Sequence, residues 1–513
     1  MLNRRTLLRS GGAIAATAAT AATVGAAAPA LGRRRGTGGS TPWQDLRAAF
    51  QGDVVLPSDA AYAHAKQVEI AAFDSVNPQA VAYAQSAADV RTAIRFAQDN
   101  SIPMRTRSGG HNFAGWSTGE GLVLDVSRFN QVTTDGTTVH LGPGAQAIDA
   151  LTTLAPLGKQ VVAGTCPTVC PGGFLSGGGI GFQSRTFGIG SDHLVSARVA
   201  LADGRVVRAS QSHNPDLFWA LRGGGGGNFG VVLDFEVTPI AAPRMVYYQL
   251  TYAWDHAQDF LTAWQLWAAG APNNRSSEVI VVLPDAAPGA APVILLMGGY
   301  YGPKADLDAA LADLAGQVGA QPTSSKVLDL PYDEAMKYVY NCNEITTQQC
   351  HRVGSSPEAT LARAGWQRLR SRLVDTPIGA AGVNDVLAAF DANRRTGATR
   401  YLSFTGLGGV ANEPSPTDTA YVHREAEFQV GFGIAIKDAN PSAEDQAAAV
   451  DWANRGFAIL DPLSSGQSYI NFPDPALTDW QQSYYGQNYD RLVQVKNHYD
   501  PDHFFRHPRS IGN

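Results

Sequence analysis

The chain has 513 residues, a length that predicts more than one domain and a large buried core. Its composition, 44% hydrophobic and 16% charged, is that of a folded globular protein and excludes a disordered chain. The formal charge of −6 gives no basic field for nucleic acid, and four cysteines are too few for a disulfide-rich scaffold.

The N-terminal segment has the features of an export signal. Arg4 and Arg5 precede an alanine-rich, mildly apolar run from Gly11 to Leu31, which contains small residues suited to cleavage. This pattern predicts that the twin-arginine export machinery secretes the protein, with residues 1–42 as signal and linker and no stable membrane span in the mature form. A membrane anchor is the alternative, because the run is long enough to cross a bilayer; its threonines and weakly lipophilic alanines favour the signal.

A glycine-rich region with many predicted strands extends from about Val81 to Pro243. Periodicity predicts a helix over Ala88 to Asn100, followed by short strands at Ile102 to Arg105 and Gly121 to Val126. Further on, Asp203-Gly204 is the preferred two-residue turn of a hairpin, which joins the predicted strands Val195 to Leu201 and Arg205 to Ala209.

The pattern changes after Tyr247. Predicted strands, Val279 to Leu283 and Pro292 to Tyr300, alternate with predicted helices, Asp306 to Val318 and Glu444 to Leu460. This alternation predicts an α+β domain in which helices cover one face of a sheet. A final helix is predicted over residues 488–498, before the stop signal at residues 500–502.

Two residues in glycine-rich settings, His111 and Cys166, are the strongest candidates for chemistry. Gly109 and Gly110 have no side chains, so the backbone before His111 can approach a planar ligand closely. The imidazole could then bond the dimethylbenzene edge of an isoalloxazine, and a thiolate at Cys166 could add to the neighbouring ring carbon. The glycines after Cys166 expose backbone N–H groups that suit a pyrophosphate.

Other motifs have simpler interpretations. The glycines from Gly223 to Gly230 lead into a predicted strand at Val231 to Phe235, whereas a Rossmann fingerprint opens a helix. Cys342 and Cys350 are predicted to form a disulfide, with two free thiols as the alternative. Cys170 is predicted to be an inert residue near the glycine-rich loop that follows Cys166. The histidines show no metal-ligand spacing, so no metal site is predicted.

Four blocks in sequence order resemble the berberine-bridge-enzyme-like oxidases, within the vanillyl-alcohol-oxidase (PCMH-type) flavoprotein group. The blocks are Arg107 to Asn112, Ala163 to Gly181 followed by Asp192 to Arg205, Leu221 to Gly230, and Tyr484 to Leu492 followed by Asp500 to Phe505. The resemblance covers nearly everything from about Ala80 to Ile511.

The resemblance implies an α+β fold with three parts after residue 42. These are a two-subdomain FAD-binding PCMH-type domain at 43–242, a substrate-binding domain with an antiparallel sheet covered by helices at 243–467, and a C-terminal segment at 468–513 that packs back on the FAD domain. It also implies FAD bonded to both His111 and Cys166. The other expected cofactor-binding residues are Arg107, Ser108, Gly109, Gly110, Asn112, Thr168, Gly172, Gly173, Gly177, Gly178, Gly179, Gly181, Asn471, Tyr485 and Asn488.

The same resemblance implies a catalytic base. Tyr469, in Ser468-Tyr469-Ile470-Asn471-Phe472, matches the segment in which a tyrosine takes the substrate's hydroxyl proton and the asparagine contacts the flavin. A further position that often carries Gln or Glu falls at Gly431, within an offset of a residue or two. This departure leaves the substrate open.

The sequence therefore predicts an FAD-linked oxidase of hydroxyl groups on sugars, oligosaccharides or glycosylated natural products, with O2 as acceptor and H2O2 as product. A dehydrogenase of the same fold with another electron acceptor stays open. A secreted carbohydrate-binding protein without turnover is the alternative of another class, against which the joint presence of His111, Cys166 and Tyr469 argues.

Overall fold

A computed structural model describes residues 42–513, so the predicted export signal lies outside the described residues except for its last position. The described chain forms three sheets with helices packed against them, which confirms the α+β fold class. No helix within the described range is long and apolar enough to cross a membrane.

The first sheet has four strands in the order β1-β2-β4-β3, of which β2, β4 and β3 are parallel. Its elements are α1 (Pro42–Ala49), β1 (Asp53–Val55), α2 (Tyr62–Ala65), β2 (Ala80–Tyr83), α3 (Ala87–Asp99), β3 (Met104–Arg107) and β4 (Leu122–Asp125). The predicted helix and both predicted strands are thus confirmed. Ser86 caps α3 by accepting the Asp89 N–H, and α3 buries Val90 and Ile94 in the core of this sheet.

The second sheet has five antiparallel strands in the order β5-β6-β9-β7-β8. Its elements are β5 (Val132–Thr134), β6 (Val139–Leu141), α4 (Ala147–Leu154), α5 (Pro171–Phe174), α6 (Ser184–Phe187), β7 (Leu194–Ala200), β8 (Val206–Ser210), α7 (Pro215–Ala220) and β9 (Val231–Val237). The β7–β8 pair is the predicted hairpin. The glycine run at 223–230 leads into β9, as the sequence predicts.

The third sheet has seven antiparallel strands in the order β13-β10-β12-β11-β15-β16-β14. Its strands are β10 (Arg244–Ala253), β11 (Arg275–Leu283), β12 (Val293–Tyr300), β13 (Ser324–Pro331), β14 (Trp366–Val374), β15 (Ala398–Gly406) and β16 (Phe428–Ile436). Its helices are α8 (Ala257–Ala269), α9 (Lys304–Val318), α10 (Tyr332–Val339), α11 (Gly379–Asp391) and α12 (Ala443–Leu460).

The two faces of the third sheet have different partners. Val279, Leu296 and Phe432 belong to the face that forms one large core with α8, α9, α11 and α12. Val282 and Met297, on the opposite face, pack with α10 and with α4 and the segments that follow α4 in the second-sheet region. Alternation along each strand thus separates a helix-covered face from a face directed at the rest of the molecule.

The C-terminal segment returns to the second sheet. It contains α13 (Trp480–Tyr485) and α14 (Tyr489–Tyr499), close to the predicted final helix. Tyr484 and Leu492 are buried in one cluster with Phe235 of β9. The last helix is therefore part of the core beneath the glycine-rich loops.

Candidate active site

A long cleft lies where loops of the first two sheets meet the C-terminal segment. Its empty space, including the open mouth, is about 1800 Å³. The predicted site residues that line it are Arg107, Ser108, Gly109, Gly110, His111, Asn112, Cys166, Gly172, Gly173, Tyr469 and Asn471. Residues separated by more than 350 positions thus share one surface.

His111 stands on a tight turn directly after β3. Gly110 has φ +71°, a conformation that glycine adopts without strain. The His111 Nε2 lies 2.8 Å from Thr168 Oγ1 and 3.8 Å from Glu69 Oε2. Burial lowers the pKa of His111 to about 4, and the nearby Arg352 lowers it further, so the imidazole is neutral at neutral pH.

Cys166 has an exposed side chain on a loop held by the start of α4. The Ile148 N–H donates to the Pro167 carbonyl at 2.9 Å, and the Ala147 N–H donates to the Val169 carbonyl at 3.0 Å. These two bonds fix the backbone on the C-terminal side of Cys166. Cys170 is buried instead, and burial raises the pKa of its thiol, which keeps that thiol protonated.

Tyr469 has a hydroxyl oxygen surrounded by N–H donors. The Gly179 N–H donates to it at 2.8 Å and Asn471 Nδ2 at 2.9 Å. Burial raises the pKa of Tyr469 to about 12, while hydrogen bonds from Gly179, Asn471 and the Ile180 backbone act in the opposite direction by stabilising the phenolate. The three hydrogen bonds therefore offset part of the cost that burial imposes on the phenolate.

Several residues predicted to bind the cofactor lie outside the cleft lining. These are Thr168, Gly177, Gly178, Gly179, Gly181, Tyr485 and Asn488. Added Cβ atoms at Gly177 and Gly178 would lie 2.1 Å from the Asn471 side chain and 2.7 Å from the Tyr421 ring. These two glycines permit close packing of distant protein segments, which a local motif does not reveal.

Tyr485 and Asn488 support loops from behind. The Tyr485 hydroxyl donates to the Gly224 carbonyl at 3.1 Å, and Asn488 Nδ2 donates to the Pro416 carbonyl at 2.7 Å. Arg107 also supports neighbouring segments, in the region of the first sheet, but unlike Tyr485 and Asn488 it lines the cleft. Its guanidinium binds the Asp125 carboxylate in a buried ion pair and donates to the Ala65 carbonyl.

Part of the lining was absent from the sequence-based set of site residues. It comprises Gly225, Gly226, Gly227, Asn228, Trp116, Phe472, Phe505 and His507. His507 stacks on Trp116 with centroids 4.8 Å apart, and its burial lowers its pKa to about 3. The glycine run can be recognised in the sequence, but no sequence pattern indicates that Trp116 and His507 lie together.

The register of β16 shows which residues share a face with Gly431, the position counted for the family's Gln or Glu. Phe428, Val430 and Phe432 face the helix-covered core, so Gln429 and Gly431 share the opposite face. Gln429 is buried opposite Thr405 of β15. A glutamine thus occupies this face two residues before the counted position, within the expected offset.

The Cys342–Cys350 disulfide is present, as predicted. It directly precedes His351, whose Nε2 lies 3.0 Å from Asp149 Oδ1 on α4. Since α4 also holds the Cys166 loop, the disulfide segment is connected to the site through one ion pair.

The lining fits a flavin dinucleotide. Gly172, Gly173 and Gly226 present main chain without side chains, and a Cβ at Gly173 would meet no protein atom within 4 Å. Ile180 and Phe472 add apolar surface near His111 and Cys166 in the same cleft. Such an arrangement suits a flat ring system joined to a pyrophosphate.

Comparisons with known proteins agree with this chemistry. Residues 78–210 match the FAD binding domain family, and residues 468–512 match the "berberine and berberine like" family. The chain is 29% identical over 441 residues to an uncharacterized FAD-linked oxidoreductase, YgaK, of Bacillus subtilis, covering 85% of this chain and 91% of that protein. It is 28% identical over 455 residues to glucooligosaccharide oxidase of Sarocladium strictum, covering 85% and 87%.

Solved structures share the fold. The berberine-bridge-enzyme-like protein 1 of Physcomitrella patens superposes with a TM-score of 0.82 at 23% identity, covering 92% of this chain and 99% of that one. Glucooligosaccharide oxidase of Acremonium strictum, which has a 6-S-cysteinyl, 8α-N1-histidyl FAD, superposes with a TM-score of 0.80 at 24% identity, covering 92% and 99%.

Proposed function

Because the chain is a berberine-bridge-enzyme-like FAD-linked oxidoreductase, we propose that it oxidises hydroxyl groups of sugars, oligosaccharides or glycosylated natural products. In this proposal His111 and Cys166 would hold FAD by covalent bonds, and the cofactor would supply a hydride acceptor for the substrate carbon, with O2 as the final acceptor and H2O2 as the product. The names of the oligosaccharide-oxidising relatives support the substrate class. Secretion through the twin-arginine route, proposed from Arg4 and Arg5, suits soluble sugars outside the cell.

One observation carries the proposal. Tyr469, Asn471, His111 and Cys166 line the same cleft, and the Tyr469 oxygen lies within hydrogen-bond distance of two N–H donors. A phenolate at this oxygen would accept the substrate's hydroxyl proton, and the two donors would stabilise the phenolate before this transfer and again after the proton passes to solvent.

The neighbouring residues give the other roles in this proposal. The Asn471 amide orients the Tyr469 oxygen, and Gln429, on the face of β16 opposite the helices, is the proposed hydrogen-bonding group for substrate hydroxyls. His111 and Cys166 would anchor the cofactor at two points, so less of the active site must close over the flavin to hold it. An open site accommodates an oligosaccharide.

The first test is acid precipitation of the purified protein, followed by mass spectrometry of its peptides. We expect the yellow colour to stay in the pellet and FAD to be attached to the peptides of both His111 and Cys166. Flavin that washes out, or attachment to one peptide only, contradicts the double linkage. A colourless protein favours a binding protein without turnover.

The second test measures turnover on a sugar panel with peroxide detection. We expect Tyr469→Phe to lower kcat by about 10²–10⁴-fold, the usual contribution of a general base, with flavin content unchanged. Tyr499→Phe is the matched control, because this tyrosine contacts Asn214 and lies outside the cleft lining. Turnover without peroxide identifies another electron acceptor, and full activity in Tyr469→Phe excludes Tyr469 as the base.

A further inference from the structure

A second, polar cavity lies behind the turn that carries His111. Its lining includes Thr168, Glu69 and Arg352, none of which reaches the cleft, whereas His111 lines both cavities. Both Thr168 Oγ1, at 2.8 Å, and Glu69 Oε2, at 3.8 Å, approach the same ring atom, Nε2. The imidazole therefore has its Nε2 directed at the polar cavity and its Nδ1 left for the cleft.

Glu69 is held in this position by its own segment. Its N–H donates to the Gly110 carbonyl at 3.0 Å, which ties it to the His111 turn. Arg107 donates to the Ala65 carbonyl at 2.7 Å, and Arg363 donates to the Val68 carbonyl at 2.8 Å. Two arginines from separate parts of the chain thus fix the strip that ends in Glu69, although Glu69 itself belongs to no helix or strand.

The charges at this point suit a proton transfer. Burial raises the pKa of Glu69 to about 7, with Arg352 and Arg363 acting in the opposite direction, and burial lowers the pKa of His111 to about 4. A neutral imidazole therefore faces a carboxyl group that can accept a proton at neutral pH. The other charged or ionisable side chains that line the cavity are Arg47, Asp53, Asp59, His64, Arg107, Asp125, Arg128 and Asp149.

We propose that Glu69 and Thr168 are positioning residues for the covalent attachment of FAD at His111. They hold the tautomer with its proton on Nε2, which leaves the Nδ1 lone pair directed at the cleft, and Glu69 takes the Nε2 proton as the bond forms. This inference rests on the proposed function, because it requires a histidyl-linked flavin.

The attachment balances with O2 as the oxidant. A bond forms between Nδ1 and the methyl carbon of the flavin edge, one C–H bond of that methyl group breaks, and the imidazole loses its Nε2 proton. Two electrons pass through the ring system to O2, which with two protons becomes H2O2. The protein supplies the orientation of the nucleophile and the acceptor for one of the two protons.

The test follows attachment rather than turnover. The full chain is produced in a riboflavin-auxotrophic host, riboflavin is added as a pulse, and mass spectrometry follows FAD on the His111 and Cys166 peptides over time. We expect Glu69→Gln to slow attachment at His111 at least about tenfold, as for the loss of a proton acceptor, with attachment at Cys166 unchanged. Glu69→Asp should restore part of the rate, and Thr168→Val should slow the same linkage.

Asp53→Asn is the matched control, because Asp53 lines the same cavity but pairs with Arg128. It should behave as the wild type. Equal rates at His111 in the wild type, Glu69→Gln and Thr168→Val would overturn the inference, as would equal slowing at both peptides, which indicates a general loss of structure. No histidyl-linked FAD in the wild type would instead refute the double linkage of the proposed function.

Discussion

At the scale of single residues, the reactivity of the site depends on competition between burial and hydrogen bonding at one oxygen. Tyr469 is 2% exposed, and removal from water opposes its phenolate. The N–H groups of Gly179 and Asn471 favour the phenolate. The balance leaves the pKa raised, so in the proposed mechanism each donor affects the fraction of Tyr469 that is deprotonated.

Asn471→Ala removes one of these donors. A hydrogen bond to a charged group contributes about 1.5–3 kcal/mol, so the pKa of Tyr469 should rise by about one unit or more. Because the base acts when deprotonated, the rising limb of the kcat–pH profile should move to higher pH, and kcat at pH 7 should fall at least about tenfold. Asn497→Ala, at a residue that contacts His503, is the control. If the rising limb of the kcat–pH profile does not move, Asn471 does not stabilise the Tyr469 phenolate.

At the scale of elements, α14 supports the cleft lining from behind through a buried ion pair at its C-terminal end. Lys496 and Asp500 have fully buried side chains, and Lys496 Nζ donates to the Asp500 carboxylate and to the carbonyls of Asn228 and Phe505. Asn228 and Phe505 line the cleft. The helix therefore holds two parts of the lining with one cation.

Lys496→Ala should lower the free energy of unfolding by about 3–5 kcal/mol, because it leaves Asp500 buried without its partner. Denaturant unfolding measures the change, and the double variant Lys496→Met, Asp500→Leu should recover part of it. Arg455→Ala removes an exposed pair with Asp451 and should cost at most about 1 kcal/mol. If Lys496→Ala lost as little stability as Arg455→Ala, the buried ion pair would not be what holds α14.

The helices and strands also show which features of the fold can be predicted from local sequence patterns. Local signals predicted α3, the β7–β8 hairpin and the strand after the glycine run, because turn residues and hydrophobic periodicity are read within a short window. They could not predict that Gly177 packs against Asn471 or that Glu69 approaches His111, because each pair depends on the arrangement of separate elements. The glycine-rich lining of the cleft was thus predicted better than the residues that support it.

At the scale of the whole molecule, a segment between β13 and β14 of the third sheet contacts the helix that holds the Cys166 loop, which lies between β6 and β7 of the second sheet. The Cys342–Cys350 disulfide places His351 against Asp149 of α4, and the first turn of α4 donates to the carbonyls on either side of Thr168. The site therefore depends on a contact between regions that are about 200 residues apart in sequence.

This contact predicts a pH-dependent stiffness of the Cys166 loop. The hydrogen bond to Asp149 raises the pKa of His351 above its ordinary value of 6.5. A raised pKa in the folded state means that the ion pair contributes fully below pH 6.5 and is lost as pH rises through the folded-state pKa.

Hydrogen exchange of peptides covering residues 163–170, corrected for intrinsic rates, should show protection that decreases across this window in the wild type. In Asp149→Asn the protection should be lower at acidic pH and independent of pH, whereas Asp308→Asn, which removes an exposed pair with Lys304, should match the wild type. Equal protection at all pH values in the wild type and Asp149→Asn would mean that α4 holds the loop without help from His351.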